Sequence, residues 1–264
     1  MAKPLIALLT DFGSTDHYAG VMKGVVLGIC PDATVVDVVH DLPAHDVAFA
    51  ARELAAACRY FPAGTIFLTV VDPGVGSSRR GLAAEAGDWR FVAPDNGVLT
   101  AVFAEWPPKR VVELTDRRYA RPTVSRTFEG RDRFAPAAAF LAKGVQLPAF
   151  GRAVADYQTV DLPQPALENG VLRGEVVRID RFGNVVTNLD RPSCERLTDG
   201  GAGVQLTVGG RAIARLVNTY ADLDAGEIGA LFGSTDHLEC AAPSANAAAQ
   251  LGVKVGDPVE LRRL

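Results

Sequence analysis

The sequence predicts an α/β N-terminal domain with a central, mostly parallel sheet, followed by a smaller, mainly antiparallel β-barrel-like domain. Through the first 140 residues, apolar β-rich runs alternate with helical patterns, as in helices packed on a parallel sheet. From Gly170 onward the pattern changes to short alternating strands. Between these regions, residues 144–169 contain three prolines and weak periodicity. We therefore predict an N-terminal domain over residues 1–150, a linker over 151–169 and a C-terminal domain over 170–264.

Apolar runs and helical patterns define the elements of the N-terminal domain. The predicted strands are LIALLT, TVVDVV, TIFLTVV, GLAAEA, RFVA and RVVEL, and the predicted helices are HYAGVMKGVVLGI, VAFAARELAAACRYF and FAPAAAFLA. Thr15 or Asp16 is expected to cap the first helix and Asp46 the second. Short polar side chains at this position accept hydrogen bonds from the first free backbone N–H groups.

The C-terminal domain is predicted from short strands with alternating polarity. These strands are GEVVRID, VQLTV, AIARLV, IGALFG and PVELRRL. Gly209 and Gly210 lie between two of them and favour a tight hairpin, because glycine adopts the positive φ angles that such turns require.

Composition favours a folded protein that binds small molecules. The chain has 264 residues, of which 48% are hydrophobic, and a net charge of -4. Without a basic stripe, we expect no nucleic-acid partner. Four widely spaced cysteines without a CxxC pair predict reduced, mostly buried thiols and no metal site. The N-terminal apolar run is too short for a signal peptide or membrane span, so the expected location is the cytoplasm.

Polar side chains follow several predicted strands of the N-terminal domain. Asp72 follows TIFLTVV, Asp11 follows LIALLT, and Asp95 and Asn96 follow the strand WRFVA. The carboxyl edge of a parallel sheet is where such folds bind ligands, and a carboxylate there commonly accepts the hydroxyls of a ribose. Alternatively, Asp11 is a turn or helix cap, and the DNG sequence at Asp95 is an ordinary turn.

The sequence TFEGRDRF begins the third predicted helix and places four candidate binding residues near its first turn. Glu129, Gly130, Arg131 and Asp132 lie where exposed N–H groups favour anionic ligands. In the simpler interpretation, Asp132 is an N-cap and Arg131 a paired surface charge.

The C-terminal domain contains a second set of candidate binding residues. Asp180, Phe182 and Asn184 in IDRFGNVVTN offer a carboxylate, an aromatic face and an amide. Tyr220 adds a stacking surface, and the pair Ser234 and Thr235 adds hydroxyl donors. Each is explained singly by a structural role, but their number in both domains indicates a ligand held between domains or subunits.

Taken together, these motifs resemble one family along nearly the whole chain. TDFG, HDLPAHD, VVDPGVGSSRR, APDNGVLT, TFEGRD, IDRFGNVVTN, TYADL and ANAAAQLG are similar, in this order, to the S-adenosylmethionine (SAM) hydroxide adenosyltransferases, which are related to fluorinases and chlorinases. The resemblance implies a homotrimer with SAM bound between neighbouring subunits. It also implies attack of water on the ribose C5′, giving adenosine and L-methionine, with SAM as substrate and no cofactor.

The resemblance also implies roles for the binding residues. Asp11 would bind the ribose hydroxyls, Asp180 the methionine ammonium and Asn184 the adenine, against which Tyr220 would stack. Ser234 would face the methionine carboxylate, and Thr235 stands where the fluorinase has an arginine. The backbone around Asn246 and Ala247 would contact the edge of the adenine.

The hydrolytic members of this family handle the water with an Asp, Arg and His set. Asp72 and Arg79 match the first two, whereas Glu129 replaces the histidine of the TFHGRD pattern. Arg80 is the alternative to Arg79 if the turn is displaced by one residue. Two other functions stay open: a SAM-dependent halogenase similar to the chlorinases, and a SAM- or adenosine-binding protein whose catalysis is impaired by Glu129.

Overall fold

A six-stranded mixed sheet forms the centre of the N-terminal unit. The computed structural model describes residues 3–198 and 203–264, and the chain divides into two compact units, Met1–Leu162 and Pro163–Leu264. The strands are β1 (Leu5–Thr10), β2 (Thr34–Val39), β3 (Ile66–Val70), β4 (Gly81–Ala86), β5 (Trp89–Pro94) and β6 (Pro108–Glu113). Their order is β2-β1-β3-β5-β4-β6, in which the first four strands run parallel and β4 is antiparallel to both neighbours.

Helices cover both faces of this sheet. They are α1 (Tyr18–Ile29), α2 (Val47–Cys58), α3 (Thr100–Glu105) and α4 (Ala135–Ala142). Alternate residues of β1 point to opposite faces, so that Ile6 and Leu8 pack with α1 and α4, while Ala7 and Leu9 pack with α2 and α3. Since both faces are covered, every residue of β3 is buried. The predicted α/β layer is confirmed.

One of the two helix-cap predictions is wrong. Asp46 accepts a hydrogen bond from the Phe49 N–H (2.8 Å) and caps α2 as expected. Helix α1, however, begins at Tyr18, one residue later than predicted, so that His17 takes the N-cap position and makes no side-chain cap bond. Neither Thr15 nor Asp16 is therefore the N-cap.

The C-terminal unit is an antiparallel, nearly closed sheet. Its strands are β7 (Ala166–Glu168), β8 (Val171–Ile179), β9 (Val185–Asp190), β10 (Val204–Val208), β11 (Arg211–Ile213), β12 (Gly229–Phe232), β13 (His237–Ala241) and β14 (Pro258–Arg263). The order is β11-β10-β14-β8-β9-β13-β12, with β7 paired to β8. Two short helices, α5 (Arg191–Thr198) and α6 (Ala247–Leu251), accompany the sheet. The predicted barrel-like domain is confirmed.

The hairpin at Gly209 and Gly210 sits where predicted, with φ angles of 55° and 80°. The strand predicted over AIARLV is shorter than expected, because β11 ends at Ile213. Downstream of it, the Val217 N–H and the Arg215 carbonyl both bond to Ala230 of β12 at 2.8 Å. This change of partner brings the two ends of the sheet together and nearly closes it.

None of the helices in the described part of the chain is long and apolar enough to span a lipid bilayer.

Candidate active site

The strand order creates a ligand-binding edge between β1 and β3. Helix α1 leads from β1 outward to β2, and α2 returns on the opposite face to β3. The chain thus leaves β1 toward β2 on one side and leaves β3 toward β4 and β5 on the other, and connections that diverge in this way leave a crevice at the carboxyl ends of the two strands. Asp11 follows β1 directly and Asp72 lies two residues beyond β3. The topology therefore brings to this edge two of the carboxylates predicted from sequence.

The guanidinium of Arg79 binds both Asp72 and Glu129, the other two residues predicted to handle the water. Nη2 of Arg79 donates to Oδ2 of Asp72 at 2.6 Å and to Oε2 of Glu129 at 2.8 Å. The three side chains are only 5–10% exposed. Arg133 adds a second contact to Glu129 at 3.2 Å, and the Phe134 ring lies 5.2 Å from the Arg79 guanidinium carbon. Burial and shared hydrogen bonds thus hold all three groups in one arrangement.

The loop after β3 turns the chain back so that Arg79 reaches Asp72. The Val75 N–H bonds to the Asp72 carbonyl, and the Ser77 N–H to the Gly74 carbonyl. Gly76 has φ +78°, and a Cβ there would lie 2.3 Å from the carbonyl oxygen of Arg126. A glycine is therefore required at this position, which explains the second glycine of the GVG sequence between the carboxylate and the arginine.

Glu129 enters the site from the start of a π-helical turn. This turn spans Gly130–Phe134 and leads directly into α4. A Cβ on Gly130 would approach the Met22 Sδ atom at 3.2 Å, so the absence of a side chain lets the turn pack closely on α1. Short π-helical insertions are frequent at functional sites. Asp132 is fully buried and bonds to the Ser125 N–H and to Arg131. Arg131 is thus a paired charge, as considered, but Asp132 lies inside the turn and is not its N-cap, which is Glu129.

The electrostatics of the cluster make Asp72 a stronger base than an exposed aspartate. Burial raises the pKa of Asp72, and the neighbouring Glu129 raises it further, whereas Arg79 and, more weakly, the backbone N–H of Gly74 oppose both effects. Its Oδ2 atom binds Arg79, but the buried Oδ1 atom has no hydrogen-bond partner among the residues that the structure describes. Asp72 consequently has one buried oxygen whose capacity to accept a hydrogen bond is unused by the residues that the structure describes.

Arg80 has different partners from Arg79. It binds Asp95 at 2.6 Å and Asp156 at 2.8 Å. The second oxygen of Asp95 accepts the Gln158 N–H at 2.7 Å, so both oxygens of Asp95 are engaged within the N-terminal unit. The geometry thus favours Arg79 as the partner of Asp72.

Asn96 supports the end of β3 from the neighbouring strand. Its side-chain amide donates to the carbonyl of Val71 at 2.8 Å and accepts the Val98 N–H at 3.2 Å. It thereby fixes the residue that precedes Asp72. Substrate binding by Asp95 and Asn96 stays a prediction.

In the C-terminal unit, most of the predicted binding residues line one cavity of about 690 Å³. They are Asp180, Phe182, Asn184, Tyr220, Ser234 and Asn246. Thr235 and Ala247 follow two of these residues in the chain; Ala247 is fully buried, and the Thr235 carbonyl bonds to the His237 ring. A cavity of this size is typical of small-molecule sites.

The turn between β8 and β9 shapes one wall of this cavity. Asp180 accepts the backbone N–H groups of Phe182 and Asn184 and the Asn184 side-chain amide, all at 2.9 Å. Gly183, at φ +86°, packs so close to Asn246 that a Cβ would lie 2.3 Å from its side-chain carbon. Phe182 is 78% exposed. The turn therefore holds a carboxylate and an amide in place and leaves an aromatic ring free.

Sequence reasoning missed Glu239, which also lines this cavity. It is 6% exposed and accepts a hydrogen bond from the Tyr220 hydroxyl. Burial raises the pKa of Glu239. Burial of Tyr220 and its hydrogen bond to Glu239 raise the pKa of Tyr220 to about 12. The signal in the sequence is a carboxylate between Leu238 and Cys240, inside an otherwise apolar strand.

Family models match both units of the chain. The model of the SAM hydroxide adenosyltransferase N-terminal domain matches residues 6–151, and that of the C-terminal domain matches residues 174–260. The chain belongs to the SAM hydroxide adenosyltransferase family.

Similar proteins include members with named activities. An (R)-S-adenosyl-L-methionine hydrolase of Thermus thermophilus is 39% identical over 97% of this chain and 98% of its own. A fluorinase of Nocardia brasiliensis is 31% identical over 98% of this chain and 97% of its own. Among solved structures, an uncharacterized conserved protein from Thermotoga maritima has a TM-score of 0.92 and 38% identity, covering 98% of this chain and 100% of that one.

The charge of Glu129 predicts a measurable effect on Asp72. Because Glu129 raises the pKa of Asp72, Glu129→Gln should lower it, so that Asp72 loses its proton at a lower pH than in the wild type. Titration of carbon-13-labelled aspartate carboxyls by NMR, with Asp72→Asn to assign the signal, measures this shift. Glu227→Gln, which removes a surface carboxylate in the C-terminal unit, is the control and should leave the titration unchanged. An Asp72 pKa that rises or stays constant in Glu129→Gln would contradict the proposed electrostatics.

Proposed function

We propose that this member of the SAM hydroxide adenosyltransferase family hydrolyses S-adenosyl-L-methionine to adenosine and L-methionine. The observation that carries the proposal is the buried pair of Asp72 and Arg79, in which the pKa of the Asp72 carboxyl is raised and its Oδ1 atom has no hydrogen-bond partner among the described residues. The similarity to proteins named as SAM hydrolases supports the same reaction.

The reaction places its main demand on the nucleophile. The C5′–S bond breaks with its electron pair going to sulfur, which leaves as a neutral thioether and needs no proton. The new C5′–O bond forms from water, a weak nucleophile that must be held in line and must lose a proton. General-base assistance typically contributes ~10² to 10⁴-fold to such a step.

Asp72 and Arg79 would have different roles in activating the water. Oδ1 of Asp72 accepts the proton of the attacking water. Arg79 stays protonated and cannot act as a base, but its bond to Oδ2 holds the carboxylate in a fixed orientation. Glu129 shares the same guanidinium and provides a second acceptor beside the water.

The same charges oppose a halide nucleophile. A chloride or fluoride ion entering beside Asp72 and Glu129 would lose its hydration next to two carboxylates that share one arginine. Hydrolysis is therefore favoured over halogenation. A site that only binds SAM or adenosine is the remaining alternative.

The binding roles follow the family resemblance. We propose that Asp11 binds the ribose hydroxyls, and that the cavity of the C-terminal unit binds the adenine and methionine parts through Asn184, Tyr220, Asp180 and Ser234. A cytoplasmic homotrimer with sites between subunits is part of the same proposal, and the mass of the protein in solution tests the trimer. No cofactor is proposed.

Incubation with SAM, with and without excess chloride, tests the proposed reaction. Quantification of adenosine, methionine and 5′-chloroadenosine separates the three functions. We expect adenosine and methionine in equal amounts and independent of chloride. Binding of SAM without adenosine would instead indicate a binding protein, and 5′-chloroadenosine would indicate a halogenase.

Replacement of the proposed base should abolish most turnover. Asp72→Asn keeps the shape of the side chain but cannot accept the proton, and we expect adenosine formation to fall by at least ~10²-fold. Asp88→Asn is the control, since Asp88 lies exposed in the turn between β4 and β5. Full activity of Asp72→Asn would exclude the proposed role.

Histidine at position 129 should support turnover. Glu129→His restores the residue type expected from the family pattern, and we predict that the rate of adenosine formation is maintained or raised. Glu129→Ala, which removes the side chain from Arg79, is the matched comparison and should be slower than Glu129→His. A histidine variant no faster than the alanine variant would show that this position takes no part in handling the water.

A further inference from the structure

A chain of hydrogen bonds connects helix α1 to Thr10, the residue before Asp11. Lys23 on α1 binds Oδ2 of Asp37 at 2.6 Å, and Oδ1 of Asp37 binds Nε2 of His40 at 2.9 Å. Nδ1 of His40 then lies 2.8 Å from Oγ1 of Thr10. The HDLPAHD motif, of which His40 is the first residue, has no other role in the proposed reaction.

The end of this chain next to Asp11 is buried, whereas the side chains of Asp37 and Lys23 are 43% and 32% exposed. Thr10, the last residue of β1, is 0% exposed, and the side chain of His40 is 11% exposed. Burial opposes the ionisation of Asp37, but its bonds to Lys23 and His40 hold its pKa below the ordinary value. An ionised Asp37 accepts a hydrogen bond from Nε2–H of His40, so in the neutral imidazole Nδ1 is left to accept a hydrogen bond from the Thr10 hydroxyl.

Thr10 connects His40 to the loop that contains Asp11. While its hydroxyl donates to His40, the same oxygen accepts the Phe12 N–H at 3.3 Å. The residues on both sides of Asp11 are thus joined through one buried oxygen atom.

The HDLPAHD segment contacts the same loop at two further points. The Gly13 N–H donates to the carbonyl of His40 at 2.8 Å. The backbone N–H of His45 donates to Oδ2 of Asp11 at 2.9 Å. His45 has φ 67°, a left-handed conformation that is uncommon for a residue with a side chain and is often found at functional sites. The Asp11 carboxylate is therefore oriented by a direct bond as well as by its backbone.

We propose that Thr10, His40 and Asp37 are positioning residues that orient Asp11 toward the two ribose hydroxyls. The proposal rests on the ribose-binding role of Asp11 in the proposed function. Two hydroxyls on adjacent carbons are bound well only by a carboxylate whose plane and direction are set in advance. Removing the Thr10 hydroxyl should therefore weaken the recognition of the ribose hydroxyls and leave the rest of the nucleoside site intact.

Thr10→Val and Thr10→Ser form a matched pair for the test. Valine has nearly the shape of threonine and suits a buried strand, but it has no hydroxyl, whereas serine keeps the hydroxyl and loses a methyl group. Calorimetric titration of each protein with adenosine and with 2′-deoxyadenosine measures how well the ribose hydroxyl is recognised. Asp11→Ala is the reference for complete loss of this discrimination.

We expect Thr10→Val to bind adenosine about 3- to 10-fold more weakly, which corresponds to the loss of one hydrogen bond's contribution. Its affinity for 2′-deoxyadenosine should change by less than about 2-fold, because that ligand lacks one of the hydroxyls. Thr10→Ser should retain the preference of the wild type for adenosine. In turnover, Thr10→Val should raise KM for SAM and leave kcat nearly unchanged.

Equal weakening of both ligands in Thr10→Val would overturn the positioning role, since it would indicate a general loss of structure. Unchanged discrimination would overturn it as well. The titrations require no turnover. If the wild-type protein prefers adenosine over 2′-deoxyadenosine but does not hydrolyse SAM, the proposed hydrolase activity is wrong. The titrations of the Thr10 variants would still test the positioning role in that case. If Asp11→Ala keeps the preference for adenosine, the ribose-binding role of Asp11 is wrong and the positioning proposal fails with it.

Discussion

The candidate active site depends on one buried guanidinium that is shared between two carboxylates. Arg79 binds Asp72 and Glu129 through the same nitrogen, at 2.6 and 2.8 Å. Removing charged groups from water is costly, and a buried ion pair seldom repays that cost by stability alone. Here the carboxylates of Asp72 and Glu129 both bind Arg79, and Glu129 also binds a second arginine, Arg133. Such an arrangement is understandable as a means of keeping a carboxylate both oriented and basic.

The surrounding fold satisfies the geometric needs of this cluster. Strand β3 delivers Asp72 to the edge of the sheet, a glycine-dependent loop returns Arg79 to it, and a π-helical turn presents Glu129. Three separate segments therefore converge on one site, each held by its own packing. On the neighbouring strand β1, the bonds of the buried Thr10 are proposed to serve Asp11 in the same way, by holding the carboxylate with groups that do not themselves react.

Local patterns predicted the elements that carry the site. The apolar run before Asp72 is a buried strand, and Asp11 and Asp72 do lie at the carboxyl ends of adjacent parallel strands. The motifs of the C-terminal unit identified six of the thirteen residues that line its cavity, because each of these six lies in a turn or at the end of an element with distinctive residues. A resemblance along the whole chain, and not any single motif, supplied the reaction.

Features set by distant contacts could not be predicted in this way. Arg79 and Arg80 are adjacent and chemically identical, and only the fold shows that one binds Asp72 and the other Asp95. Glu239 is a single charge in an apolar strand, and its bond to Tyr220 joins residues far apart in the sequence. The early end of β11 depends on the competing partner Ala230 in β12. In each case tertiary packing decides the partner, which a local pattern does not specify.

The central claim is that Asp72 activates a water molecule and does not itself attack the ribose. A single turnover with the enzyme in excess over SAM, in water enriched in oxygen-18, tests this claim most directly by mass spectrometry of the products. We predict that the label appears at the 5′ oxygen of adenosine in that first turnover and that methionine stays unlabelled. Unlabelled adenosine, with the label in the carboxyl group of Asp72, would show that the carboxylate forms an ester with C5′ and would contradict the claim.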